Sequence, residues 1–80
     1  MFFVYILHSA SSDRFYVGHT SNLDDRLARH NQGRSKSTKS GVPWTLVYHE
    51  QFESRAEAVR RESEIKSWKS RKRIEELING

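Results

Sequence analysis

The sequence predicts an α+β domain in the order ββαβαα, with helices packed on a small antiparallel sheet. Three observations predict it. The segments FFVYILHS, RFYVGHT and WTLVYHEQF are rich in aromatic and β-branched residues and alternate with a period of two. The first two are joined by the short turn-like connection SASSDR, as in a hairpin. The other segments repeat their apolar residues at helical spacing and begin with capping residues.

FFVYILHS is apolar on both alternating sets, with Phe3, Tyr5 and Leu7 on one face and Phe2, Val4 and Ile6 on the other. A strand buried on both sides belongs in the middle of a sheet. RFYVGHT follows as its hairpin partner. SNLDDRLARHNQG reads as a short helix: Ser21 or Asn22 caps it, Asp24 and Asp25 suit its positive N-terminal end, and Gly33 suits its stop. Leu23 and Leu27 face the core. RSKSTKSGVP is expected to be a polar, solvated loop. WTLVYHEQF is the third strand, Trp44, Leu46 and Tyr48 alternating with Thr45, Val47 and His49. Ser54 followed by Glu57 is a capping box, opening a helix that ends near Trp68. SRKRIEELING is a last short helix docking through Ile74, Leu77 and Ile78.

The chain has 80 residues, which suits one small domain over residues 1–80. It has no cysteine, hence no disulfide framework and no thiolate zinc site. No apolar run reaches membrane-spanning length. MFFVYIL lacks the basic flank and cleavage site of a signal peptide, so the expected location is the cytoplasm, with no membrane partner. The net charge is +4 and the pI about 9.8. Of 14 Lys and Arg residues, eight lie between Arg55 and Arg73, and Arg34, Lys36 and Lys39 form a second group. A basic surface points to a polyanion, most often nucleic acid, although a solvated face would look the same.

Several residues are placed where chemistry is possible. Arg26 and His30 are one turn apart and flank the Leu23–Leu27 stripe. Such an arginine can fork two bonds onto a phosphate, or simply snorkel outward. Tyr5 and Tyr16 sit on adjacent strands, and Gly18 lies on the face of Tyr16, leaving space beside a phenol. Both tyrosines could equally be core aromatics. Glu62 falls within the stripe of Ala58, Val59 and Ile65. An inward carboxylate must be paired, protonated or holding a cation. Lys66 or Arg26 could pair with it, or it could bind a hard divalent ion such as Mg²⁺. His8, His19 and His49 show no zinc spacing.

VYIL, then FYVG, then NLDDRLARHNQG resembles the GIY-YIG nuclease family, with motifs at Val4-Tyr5-Ile6 and Tyr16-Val17-Gly18. TKSGVPWTLVY and ESRAEAVRRESEIKSWKSRKR resemble the small single-domain bacterial members, so the likeness covers nearly the whole chain. It implies a three-stranded antiparallel sheet flanked by three helices, and Mg²⁺- or Mn²⁺-dependent cleavage of DNA. Tyr5 and Tyr16 match the motif tyrosines, Arg26 the helix arginine, and His30 a histidine found in part of the family. Glu62 matches the metal-binding glutamate. The resemblance implies that Tyr5, assisted by His30, takes a proton from the attacking water. Tyr16 orders the water or a phosphate oxygen, Arg26 stabilises phosphate charge, and the metal on Glu62 stabilises the leaving 3′ oxygen. Arg34, Lys36, Lys39, Lys66, Lys69, Arg71 and Lys72 are expected to grip the backbone. Val4 replaces the first-motif glycine, and no asparagine follows Glu62 before Asn79. The expected product is a structure-selective or weakly specific endonuclease, monomeric or weakly dimeric, in repair or recombination. A non-catalytic nucleic-acid-binding module of the same fold is the alternative.

Overall fold

A computed structural model describes residues 1–80. Strands β1 (Phe2–Ser9), β2 (Arg14–Thr20) and β3 (Trp44–Phe52) form one antiparallel sheet in the order β2-β1-β3. The doubly apolar strand is central, as its pattern requires. Helices α1 (Leu23–Asn31), α2 (Arg55–Ser67) and α3 (Arg71–Asn79) complete the expected order.

Each helix starts where a side chain satisfies free backbone donors. Asn22 accepts from the Asp25 amide, Ser70 accepts from the Arg73 amide, and Ser54 and Glu57 form the reciprocal capping box. α1 ends at Gly33, whose φ of +72° is open to glycine without strain.

The two faces of β1 build two separate cores. Val4 and Ile6 pack with Val17, Ala58 and Ile65 beneath α2 and α3, joined by Trp68, Ile74, Leu77 and Ile78. Val4, Ile6 and Ile65 are fully buried, and burial of each contributes about 1.5–3 kcal/mol. Tyr5, Leu7 and Trp44 pack on the other face with Leu23 and Leu27 of α1. Tyr5 lies opposite Gly18, Leu7 opposite Tyr16, and Val4 opposite His19. Directly paired residues share a sheet face. Tyr16 and Gly18 therefore belong to the α1 face, and His19 to the α2 face.

Two expectations need correction. Val59 is 39% exposed, so the buried stripe of α2 is narrower than its spacing suggests. The segment after α1 is not a solvated loop. It folds into a 3₁₀ turn at Lys39–Gly41, and Thr38 and Gly41 are buried. Trp44 holds it, donating from Nε1 to the Thr38 carbonyl at 2.8 Å. Asn31 ties Trp44 to α1 by accepting from its amide at 2.6 Å and donating to its carbonyl at 3.0 Å.

Candidate active site

The register of β1 against β2 is what assembles the site. It sets Tyr5 across from Gly18, and the missing side chain lets the phenol lie against the neighbouring backbone. A Cβ at Gly18 would stand 2.6 Å from Tyr5 Oη and 3.1 Å from Tyr16 Cε2. The last turn of α1 then brings His30 above the phenols. Tyr5 Oη is 3.0 Å from His30 Nε2, and the Tyr16 and His30 rings lie 5.0 Å apart. Tyr5 and His30 are each only 2% exposed.

Arg26, one turn earlier on α1, lies beside this pair. Together with Tyr16, Arg29, His30, Arg34 and Ser35 it lines a cleft of about 290 Å³. Arg26 Nε is buried and has no hydrogen-bond partner. A buried N–H without an acceptor is costly, and a charged guanidinium more so. A phosphate oxygen in the cleft would satisfy it.

Burial pushes the Tyr5 hydroxyl up to about 12, and the neighbouring Tyr16 adds to the rise while Arg26 opposes it. His30 moves the other way. Burial lowers its pKa, and the positive charges of Arg26 and Arg29 lower it further. Near neutrality His30 is therefore an uncharged imidazole beside a firmly protonated phenol. A phenol of this kind deprotonates only if the imidazole receives its proton.

Glu62 is not part of this cleft. It projects from α2 toward His19 on the edge strand β2. Its Oε1 lies 2.5 Å from His19 Nδ1 and its Oε2 lies 2.5 Å from Lys66 Nζ. Burial raises its pKa, but the bonds from Lys66 and His19 outweigh that and hold it below the usual carboxylate range. The partners are thus Lys66 and His19, and not Arg26. Glu62 is among the charges acting on Tyr5, and it raises the phenol's pKa slightly.

No three His, Cys, Asp or Glu side chains converge in the structure. A single carboxylate nevertheless suits Mg²⁺ when waters and a substrate phosphate complete the shell. Lys66 already marks a cation position at Oε2, and it is half exposed and able to swing away. The residues fit a metal held by Glu62 under those conditions.

The basic residues divide by task. Arg34 lines the cleft, Lys36 and Lys39 lie exposed on the adjoining turn, and Lys69 and Lys72 are exposed near the α2–α3 junction. Arg71 is committed elsewhere. It donates to the Asp13 carbonyl and carboxylate, each at 2.7 Å, and to Glu75 at 3.3 Å, fastening α3 to the β1–β2 turn. Sequence reading missed Arg29, His19 and Thr38. Arg29 was open to detection, because it stands three residues after Arg26 on the same helix. Thr38 and His19 carried no local signal.

The GIY-YIG catalytic domain profile matches residues 1–75. A UPF0213 protein of Staphylococcus haemolyticus is 41% identical over 73 residues, covering 90% of this chain and 88% of its own. A UPF0213 protein of Natronomonas pharaonis is 40% identical, covering 95% and 88%. The solution NMR structure of a UPF0213 protein of Bacillus halodurans is 36% identical. It superposes with a TM-score of 0.60 and covers 99% of this chain and 84% of that one.

Proposed function

We propose that this chain, which belongs to the GIY-YIG family of nuclease domains, is a divalent-metal-dependent DNA endonuclease. It acts as one domain over residues 1–80, in the cytoplasm, in repair or recombination. The observation that carries this reading is the buried Tyr5–His30 hydrogen bond beside an arginine-lined cleft with an unpartnered Arg26 Nε.

A phosphodiester enters the cleft and accepts from Arg26, with Arg29 and Arg34 adding charge. Water attacks the phosphorus in line. It gives a proton to the Tyr5 oxygen while Tyr5 passes its own to His30 Nε2. The proton ends on an imidazolium. Arg26 and Arg29 disfavour that imidazolium in the free protein, and the bound phosphate offsets them, so substrate binding itself prepares His30. Tyr16 orders the water or a phosphate oxygen. Glu62 would hold Mg²⁺ or Mn²⁺ in the place Lys66 now takes, and the ion would supply positive charge for a leaving 3′ oxygen.

Lys36, Lys39, Lys69 and Lys72 grip the flanking backbone, while Lys66 and Arg71 contribute field more than contacts. These are phosphate contacts, which position a duplex without reading bases. Selectivity for DNA structure, or weak sequence specificity, follows.

The test is nicking of supercoiled plasmid and branched DNA with Mg²⁺, Mn²⁺ or chelator, beside Glu62→Ala. The expected result is metal-dependent nicking lost in the variant and weakened in Tyr5→Phe. Absence of nicking, with equal DNA binding by both proteins, overturns it. One observation favours a second reading: both Glu62 oxygens already have partners, Lys66 and His19. On that reading the chain is a non-catalytic nucleic-acid-binding module.

A further inference from the structure

We propose that Thr38 sets the tautomer of His30, placing the ring proton on Nδ1 and leaving Nε2 free to accept from Tyr5. Its catalytic consequence rests on the nuclease reading above; the tautomer itself does not.

His30 is held at both nitrogens. Nε2 is 3.0 Å from Tyr5 Oη, and Nδ1 is 2.7 Å from Thr38 Oγ1. A neutral imidazole has one proton for these two contacts, so their directions are linked. The phenol decides one end. Arg26, whose charge acts on Tyr5, has donors only and offers the phenol hydrogen no acceptor. Its own hydrogen has His30 Nε2 as the acceptor at hand. If Nε2 carried the proton instead, the phenol hydrogen would be buried without an acceptor, an arrangement folded proteins avoid.

The other end agrees. With Nε2 accepting, Nδ1–H donates to Thr38 Oγ1. The Thr38 hydroxyl hydrogen is then free for the Ser35 carbonyl, 3.5 Å away. The chain runs in one direction: Tyr5 O–H to His30 Nε2, His30 Nδ1–H to Thr38 Oγ1, and Thr38 O–H to the Ser35 carbonyl. Every hydrogen has an acceptor.

Thr38 is built to hold that position. It is fully buried. Its amide donates to the Ser35 carbonyl at 3.2 Å, and its carbonyl accepts from Gly41 at 3.0 Å and Trp44 Nε1 at 2.8 Å. These bonds fix where Oγ1 lies relative to α1. Thr38 does not itself line the cleft, and it meets His30 at Nδ1, not at the reacting Nε2. It is a positioning residue acting through His30. When Nε2 takes the Tyr5 proton, the Nδ1–H bond to Thr38 persists, so the imidazolium forms without rearrangement.

The experiment is NMR of the full chain with ¹⁵N-labelled histidine, reading which His30 nitrogen bears the proton at a pH where the ring is neutral. The wild-type protein is expected to show a protonated Nδ1 and a bare Nε2. Thr38→Val, which leaves Nδ1–H without its acceptor, is expected to raise the Nε2–H share above that of the wild type, and Thr38→Ser to restore the wild-type pattern. A protonated Nε2 in the wild-type protein overturns the proposal, as does an unchanged pattern in a folded Thr38→Val. The wild-type spectrum decides even if Thr38→Val does not fold. Nicking by the same proteins is the second arm, with Thr38→Val slower by about tenfold or more and Thr38→Ser near wild type. A wild-type protein with the expected tautomer and no nicking would defeat the nuclease reading and leave the role of Thr38 intact.

Discussion

Replacing Gly18 by alanine adds one methyl group at the point where two strands and two phenols meet. The new Cβ would stand 2.6 Å from Tyr5 Oη, 2.8 Å from Tyr5 Cζ and 3.1 Å from Tyr16 Cε2. Close carbon–oxygen contacts in proteins lie at about 3.3–3.6 Å, so the Tyr5 ring must retreat by about 0.7–1 Å. His30 and Thr38, both buried, cannot follow it. The 3.0 Å bond between Tyr5 and His30 therefore loses its alignment. Misplacement of a reacting group by that distance costs on the order of 100-fold in rate. Overpacking costs about 1–3 kcal/mol of stability, and each kcal/mol lowers Tm by about 4–8 °C in a domain of this size. Initial nicking rates, calorimetry and DNA binding by fluorescence anisotropy read these separately. Affinity should stay within about twofold, because the arginines are untouched. In the Tyr5→Phe background the same alanine should destabilise less, since the oxygen at 2.6 Å is gone. A Gly18→Ala protein with wild-type rate and Tm would refute the claim that this space is reserved for the phenol.

The remaining predictions concern His30, the cleft and its supports. Protonated His30 cannot accept from Tyr5, so kcat/KM should fall as pH drops through its pKa. Burial, Arg26 and Arg29 place that acid limb below the ordinary value of about 6.5, and Arg29→Ala should move it upward in a pH–rate profile. Stability follows the same sign: the unfolded chain binds the His30 proton first, so thermal melts should weaken as pH falls below about 6.5. Arg29→Ala with Arg34→Ala should lower the salt slope of DNA binding by about 1–2. Arg71→Ala should lower Tm with the slope unchanged, because Arg71 is spent on Asp13 and Glu75. Asn31→Ala removes both bonds to the Trp44 backbone and should cost about 1–3 kcal/mol in denaturant unfolding.

Element order, caps and the central place of β1 were legible in the chain because they depend on neighbours within a few residues. The alternation of FFVYILHS, the Ser54–Glu57 box and the Gly33 stop each act locally, and each formed as expected. That Tyr5 and Tyr16 lie on adjacent strands, and Arg26 and His30 on one side of a helix, followed from the same short periods. The sheet register and the packing of α1 decided the rest. They joined Tyr5 to His30 across 25 positions and buried Thr38 against His30 in a segment that reads as a polar loop. They also set His19 and Glu62 together beside β2, 43 positions apart. Arg71 could not be told from a free basic residue until α3 met the β1–β2 turn. Periodicity tells which side of its own element a residue occupies. Which distant side chain stands opposite it is fixed only when the elements pack, because packing decides which buried polar atoms come within bonding reach of one another.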